Sequence, residues 1–213
     1  SDLHCIDLFL GNLMLRILLG IMVLLGSSGL LADGNAANGQ DLVMVCGACH
    51  GQDGNSPAGA FPSLAGQGEK YLYKQMVDIK DGRRSAITMT GLLDGYSDQQ
   101  IMDIAAYYAS QQTKVGAASA DLVALGEKVY RAGVARKNIA ACTACHSPNG
   151  GGNRAAAFPA LSGQWPEYTS AQLKAFRSGE RNNDGESRMM RLTAMDLSDK
   201  EIEAVSSYLY GLK

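Results

Sequence analysis

Aromatic side chains are scarce in this 213-residue chain, at 7% with one tryptophan, and histidine is scarcer still, at three residues. Few aromatics combined with many glycines describe small soluble globular units rather than one large core. An excess of charge of either sign is also missing, since the formal net charge is -2, and this argues against nucleic-acid binding. No segment of any length alternates apolar and polar residues, which excludes a sheet-built fold and leaves an all-α class with long loops. Two domains of about 90 residues fit the length, and domains that small often need a metal, a disulfide or a cofactor to complete their cores.

What is present is cysteine in a pattern. Cys46, Cys49, Cys142 and Cys145 form two identical pairs, leaving Cys5 as the odd one. Cys5 belongs to a leader, residues 1–32, that is unlike the rest. Ile17 to Ala32 (ILLGIMVLLGSSGLLA) is uncharged and mostly apolar, follows Arg16 and precedes a polar stretch. A basic start, an apolar middle and a small-residue end make a secretory signal, with Met14 as a natural start and residues 1–13 as upstream sequence. The competing reading is a retained membrane anchor: the run falls short of the roughly 20 residues that span a bilayer, and extending it back to Leu8 includes Arg16.

Beyond the leader the sequence aligns with itself. GACHGQDGNSPAGAFPSLAGQGEKYLYKQ resembles TACHSPNGGGNRAAAFPALSGQWPEYTSAQ, pairing His50 with His146, Phe61-Pro62 with Phe158-Pro159, Gly66-Gln67 with Gly163-Gln164, Tyr71 with Tyr168 and Gln75 with Gln172. This is a tandem duplication. The seam is expected in residues 111–121 (QQTKVGAASAD), a polar small-residue stretch that suits an exposed linker, giving domains 33–115 and 116–213. Both copies end with Ser-Asp followed by Gln100 or Glu201 three residues after the serine, a capping box that opens a helix with one apolar face. GQDLVMV, GEKVYRA, EKYLYKQMVDIK and PEYTSAQLKAFR also read as helices. The loops between them are long for domains so small, and such loops usually wrap something.

Each cysteine pair sits in Cys-x-x-Cys-His, in VCGACHGQDG and ACTACHSPNG. In an exported chain this unit is the attachment signature of c-type haem. The two cysteines bond to two vinyl groups and the adjacent histidine places its imidazole under the iron, here His50 and His146. A shared zinc site is opposed by the 92 residues between Cys49 and Cys142, far more than a zinc ribbon uses. A thioredoxin-like redox pair would expect strands, and none is read. Two covalent haems are therefore expected, one per copy.

The iron's other face needs a ligand. His4 lies in the leader, so no histidine is left over, and methionine becomes the best soft neutral donor. Met89 precedes Ser97 by eight residues and Met190 precedes Ser198 by eight. That equivalence selects Met89 and Met190, with Met189 and Met195 as near rivals and core packing as the plain reading of any methionine. Phe-Pro-x-Leu reads as a rigid turn, and a carbonyl of Pro62 or Pro159 is placed to accept the other ring N–H of the histidine, fixing its tautomer.

GACHGQDGNSPA, FPSLAGQ, MTGLLDGYSDQQIMDIAAYYASQ, FPALSGQ and LSDKEIEAVSSYLYGLK together resemble the dihaem cytochromes c4, over nearly all of residues 36–213. The resemblance implies two tandem class I cytochrome c domains, each wrapped round one covalent haem, with the haems facing each other near the domain interface. It implies Cys46, Cys49, His50 and Met89 for the first haem and Cys142, Cys145, His146 and Met190 for the second. It further implies a periplasmic carrier, soluble or attached to the periplasmic face of the inner membrane, moving electrons from quinol-oxidising complexes such as quinol-cytochrome c oxidoreductase towards terminal oxidases. The departure is the leader, which is longer and stranger than a plain signal.

A six-coordinate His/Met haem has no vacant site for substrate, so a carrier rather than an enzyme is expected. Residues 33–115 carry nine acidic and six basic side chains, and residues 116–213 carry ten and twelve. Such asymmetry orients brief, salt-dependent encounters with redox partners. Arg177, Arg181, Arg188 and Arg191 read either as a docking patch or as a solvated helix face. Two other classes stay open: a peroxidase-like dihaem enzyme, and a haem subunit docked to a periplasmic oxidoreductase such as a flavocytochrome.

Overall fold

Serine caps open the two most buried helices. Ser97 accepts from the backbone N–H of Gln100 while the Gln100 side chain accepts from Ser97, and Ser198 and Glu201 repeat the arrangement. Each box satisfies two backbone groups that a helix start otherwise leaves unpaired.

The computed structural model describes residues 33–213, so the expected signal or anchor, with His4 and Cys5, lies outside the described residues. The first repeat supplies α1 (Ala36–Leu42), α2 (Met44–His50), α3 (Glu69–Lys80) and α4 (Asp98–Ser110). The second supplies α5 (Val123–Ala132), α6 (Thr143–His146), α7 (Pro166–Ser178), α8 (Met189–Ala194) and α9 (Asp199–Gly211). Among the described residues the only β-type pairings are two isolated bridges, Val134 with Ile139 and Asn153 with Phe158. No described helix is long and apolar enough to cross a membrane.

In both repeats the first helix crosses the last at a glycine. A Cβ on Gly39 would lie 2.0 Å from the Asp103 carbonyl oxygen, and one on Gly126 would lie 2.2 Å from that of Ala204. Only a residue without a side chain lets the two backbones approach so closely. Around the first crossing Val43, Leu72, Ile104, Ala105 and Tyr108 make a core. Around the second, a larger core includes Val129, Tyr130, Phe176, Ile202, Val205 and Leu209.

The repeats differ in two places. Cys46 follows Gly39 by seven residues, whereas Cys142 follows Gly126 by sixteen. The extra chain makes a short 3-10 turn (Ala135–Lys137), buries Ile139 and brings Arg136 and Lys137 onto the buried Glu201 carboxylate at 3.2 and 2.6 Å. Burial opposes ionisation of Glu201, but hydrogen bonds from Lys137 and Ser198 win and hold the carboxyl at about 2. The second difference is a size exchange: Val43 and Tyr108 in the first core stand where the second has Tyr130 and Leu209.

The connecting segment, expected to be an exposed linker, is tied along its length. The Thr113 hydroxyl donates to the Ala65 carbonyl and the Lys114 N–H to the Asn55 side chain, both in the first repeat. Beyond Val115, Gly116 N–H donates to the Tyr210 carbonyl and Ser119 N–H to the Ser207 hydroxyl, both in the second. The basic run divides. Arg181 is buried and Arg191 pairs with the buried side chain of Asp184, so these two hold the fold together, whereas Arg177 pairs with the exposed Asp199 and Arg188 is exposed.

Candidate haem sites

Each site is built on a one-turn or two-turn helix followed by a rigid loop. Cys46, Cys49 and His50 lie on α2. Cys142 caps α6, which carries Cys145 and His146. Among the described residues none of these four cysteines is in a disulfide. Burial pushes the Cys46 thiol up and takes the Cys142 thiol to about 11, so both are held as neutral thiols.

Both histidines are buried, and each bonds the carbonyl of its expected proline: His50 Nδ1 lies 2.9 Å from the Pro62 oxygen, and His146 Nδ1 lies 2.9 Å from the Pro159 oxygen. A carbonyl can only accept, so Nδ1 carries the proton and Nε2 is left with its lone pair. Burial lowers the pKa of both imidazoles, partly offset by these bonds, and so favours the neutral form that binds a metal. Phe61 and Phe158, the residues before the prolines, pack on the two imidazoles with ring centroids 6.4 Å apart in each case.

The methionines divide. Met190, on α8, packs against the second core alongside Cys142 and Leu209. Its rivals Met189 and Met195 are 45% and 55% exposed, which separates them from it. Met89 ends a 3-10 turn (Ile87–Met89) and lines a cleft of about 390 Å³ with Ile79, Arg84 and Leu93, whereas Cys46 packs against the first core. The structure therefore brings cysteine and methionine to one core in the second repeat only.

These features suit haem c: unpaired thiols three residues apart and a neutral histidine offering one nitrogen, present twice. Among the described residues no three His, Cys, Asp or Glu side chains converge as a group that would hold a bare metal ion. The first core also contains an orphan, the buried Tyr108 hydroxyl, which has no partner among the described residues and whose pKa burial drives upward.

The cytochrome c family pattern matches residues 36–112 and again 123–213. Cytochrome c4 of Pseudomonas aeruginosa is 54% identical over 198 residues, covering 92% of this chain and 98% of the relative. The chain belongs to the cytochrome c4 family. It is a dihaem electron-transfer cytochrome, with Cys46 and Cys49 attaching one haem c and Cys142 and Cys145 the other. Its fold matches the crystal structure of reduced recombinant cytochrome c4 from Pseudomonas stutzeri at a TM-score of 0.83 and 53% identity, covering 84% of this chain and all of that one. A more distant relative, 37% identical over 169 residues and spanning 78% of this chain and 77% of the relative, is the thiosulfate dehydrogenase electron acceptor of Stutzerimonas stutzeri.

A set of residues that the sequence reading did not link to one another joins the repeats. Gln67 donates from Nε2 to the Ala160 carbonyl (2.9 Å) and accepts from the Ala160 N–H (2.7 Å). Gln164 does the same to Ser63, at 2.9 Å for both bonds. Arg84 donates to the Tyr168 hydroxyl and Gln172, and Arg181 to the Tyr71 hydroxyl and Gln75. Burial opposes ionisation of Tyr71, yet Arg181 and Arg84 draw its pKa below the ordinary value. The signal for this network was in the self-alignment, where Gly-Gln, Tyr and Gln recur at matching places.

Proposed function

We propose that this protein is a periplasmic electron shuttle in which His50 and Met89 ligate the first iron and His146 and Met190 the second. The observation that carries this reading is the commitment of both Nδ1 atoms to proline carbonyls, which leaves one nitrogen in each buried pocket for a metal. Haem supplies a one-electron couple, and the chain supplies what sets it: neutral buried histidines, fixed tautomers and aromatic shielding by Phe61 and Phe158. Methionine ligation raises the potential relative to a bis-histidine haem, which suits transfer from quinol-cytochrome c oxidoreductase to a terminal oxidase. Docking to these partners is brief and electrostatic, guided by the unequal charge of domains 33–115 and 116–213. Residues 1–32 direct export or attach the protein to the periplasmic face of the inner membrane.

A second reading, a dedicated acceptor for one periplasmic oxidoreductase, is favoured by the likeness to the thiosulfate dehydrogenase electron acceptor. A potentiometric titration followed by visible absorption, with and without carbon monoxide, tests the carrier. Two low-spin haems that the gas leaves unmoved are expected. One haem that binds carbon monoxide and shifts its potential would replace the carrier with a catalytic reading.

A further inference from the structure

The histidine of each site is tied to the opposite repeat through a single peptide plane. In the first repeat the plane joins Pro62 to Ser63. Its carbonyl accepts from His50 Nδ1 at 2.9 Å, and its N–H donates at 2.9 Å to Oε1 of Gln164, in the second repeat. In the second repeat the plane joins Pro159 to Ala160. Its carbonyl accepts from His146 Nδ1 at 2.9 Å, and its N–H donates at 2.7 Å to Oε1 of Gln67, in the first. Both glutamines are buried. The segments FPSLAGQ and FPALSGQ thus each do two jobs: the proline carbonyl holds the histidine of its own repeat, and the glutamine grips the peptide that holds the other.

An amide is a conjugated unit, so what happens at its N–H is felt at its oxygen. An acceptor on the N–H pushes electron density towards the carbonyl, which becomes a stronger acceptor in turn; hydrogen bonds in series polarise one another. A stronger acceptor at Nδ1–H makes the imidazole a more basic ligand through Nε2. A more basic ligand favours the oxidised iron.

We propose that Gln164 and Gln67 are positioning residues acting in trans: Gln164 sets the ligand strength and orientation of His50, and Gln67 does so for His146. Each half of the chain thereby tunes the reduction potential of the haem in the other half. The inference rests on the reading that His50 and His146 ligate the irons. Low-spin His/Met spectra of the unaltered protein test that reading by themselves, before any variant is made.

The experiment is a redox titration of Gln164→Leu and Gln67→Leu, with each haem followed separately through its own haem-methyl proton resonances. Gln164→Leu is expected to raise the potential of the haem on Cys46 and Cys49 by a factor of about three to ten in the reduction equilibrium, or about 28 to 59 mV at 59 mV per tenfold for one electron. The haem on Cys142 and Cys145 should not follow. Gln67→Leu should produce the converse. A shift confined to the variant's own repeat, an equal shift at both haems, or no shift overturns the proposal. Loosening of the domain contact is separated by Tyr168→Phe, a neutral change that removes the Arg84 contact across the repeats but leaves Gln164 on Ser63 N–H: a relay predicts that the first potential stays in place, and a rise like that of Gln164→Leu would overturn it.

Discussion

Arg84 and Arg181 hold matching places in the two repeats, and each reaches across to the other's tyrosine, Arg84 to the Tyr168 hydroxyl at 2.9 Å and Arg181 to the Tyr71 hydroxyl at 3.1 Å. Arg181 is buried, and among the described residues no carboxylate pairs with it. Its donors go to Gln172, Gln75, Asn183 and Tyr71, and its plane lies 4.5 Å over the Phe176 ring. A planar, weakly hydrated guanidinium tolerates this environment where an ammonium does not.

Arg181→Ala strands several buried acceptors at once and should cost about 2 to 3 kcal/mol. Arg181→Lys should recover little, because one ammonium cannot replace the fork. Calorimetric unfolding of the haem-loaded protein checks both. The cost is expected to appear as two resolved transitions where the parent shows one.

Met190→Ala should leave its haem covalently attached but high-spin and lower in potential, while the other haem keeps its low-spin spectrum. Met89→Ala should do the same in the first repeat. Visible absorption and redox titration decide each case, and a variant in which both haems stay low-spin with unaltered potentials would mean another residue holds that iron.

Acid should loosen the second domain through Glu201. Its carboxyl ionises at about 2 in the folded protein, against an ordinary value of 4.5. A depressed carboxylate contributes its full stabilisation above the ordinary value and loses it as pH falls towards 2. Unfolding measured between pH 5 and 2 should show that loss, and Glu201→Gln should flatten it. The first domain has neutral Gln100 at the equivalent place, so its own response to acid comes from other carboxylates, Asp53, Asp78 and Asp103, which are also held below the ordinary value.

Gly39→Ala and Gly126→Ala should each force apart a helix pair, since the added carbon meets a backbone oxygen at 2.0 or 2.2 Å. Destabilisation of about 1 to 3 kcal/mol per site is expected, read by denaturant unfolding. A similar change at Gly179, which has nothing within 4 Å but carries a φ of 81°, should cost only its backbone strain.

Most of the fold was legible because its signals are local. Ser97 with Gln100 and Ser198 with Glu201 announce helix starts, and the apolar spacing of EKYLYKQMVDIK coincides with α3. The attachment sites were legible for the same reason, as Cys-x-x-Cys-His is contiguous. What escaped depends on contacts about a hundred residues apart. Nothing in the neighbourhood of Arg181 says that Tyr71 will receive it, so a run of arginines reads as solvated or docking surface. Nor does a polar, small-residue stretch reveal that Asn55 and Ser207 will tie it down.

The reciprocity of the glutamine and arginine contacts is the pattern of a two-fold dimer, in which residue i meets j and j meets i. Here both partners belong to one chain. A dimer of identical subunits must accept every substitution twice, on both sides of its axis. Covalent joining removes that constraint, and the unequal halves show it: the added chain before Cys142 appears once, Tyr108 on the last helix of the first repeat is matched by Leu209, and Val43 is matched by Tyr130 on the first helix of the second. Two pockets that began alike can then settle at different potentials, giving an electron a preferred direction through a molecule whose scaffold is otherwise symmetrical.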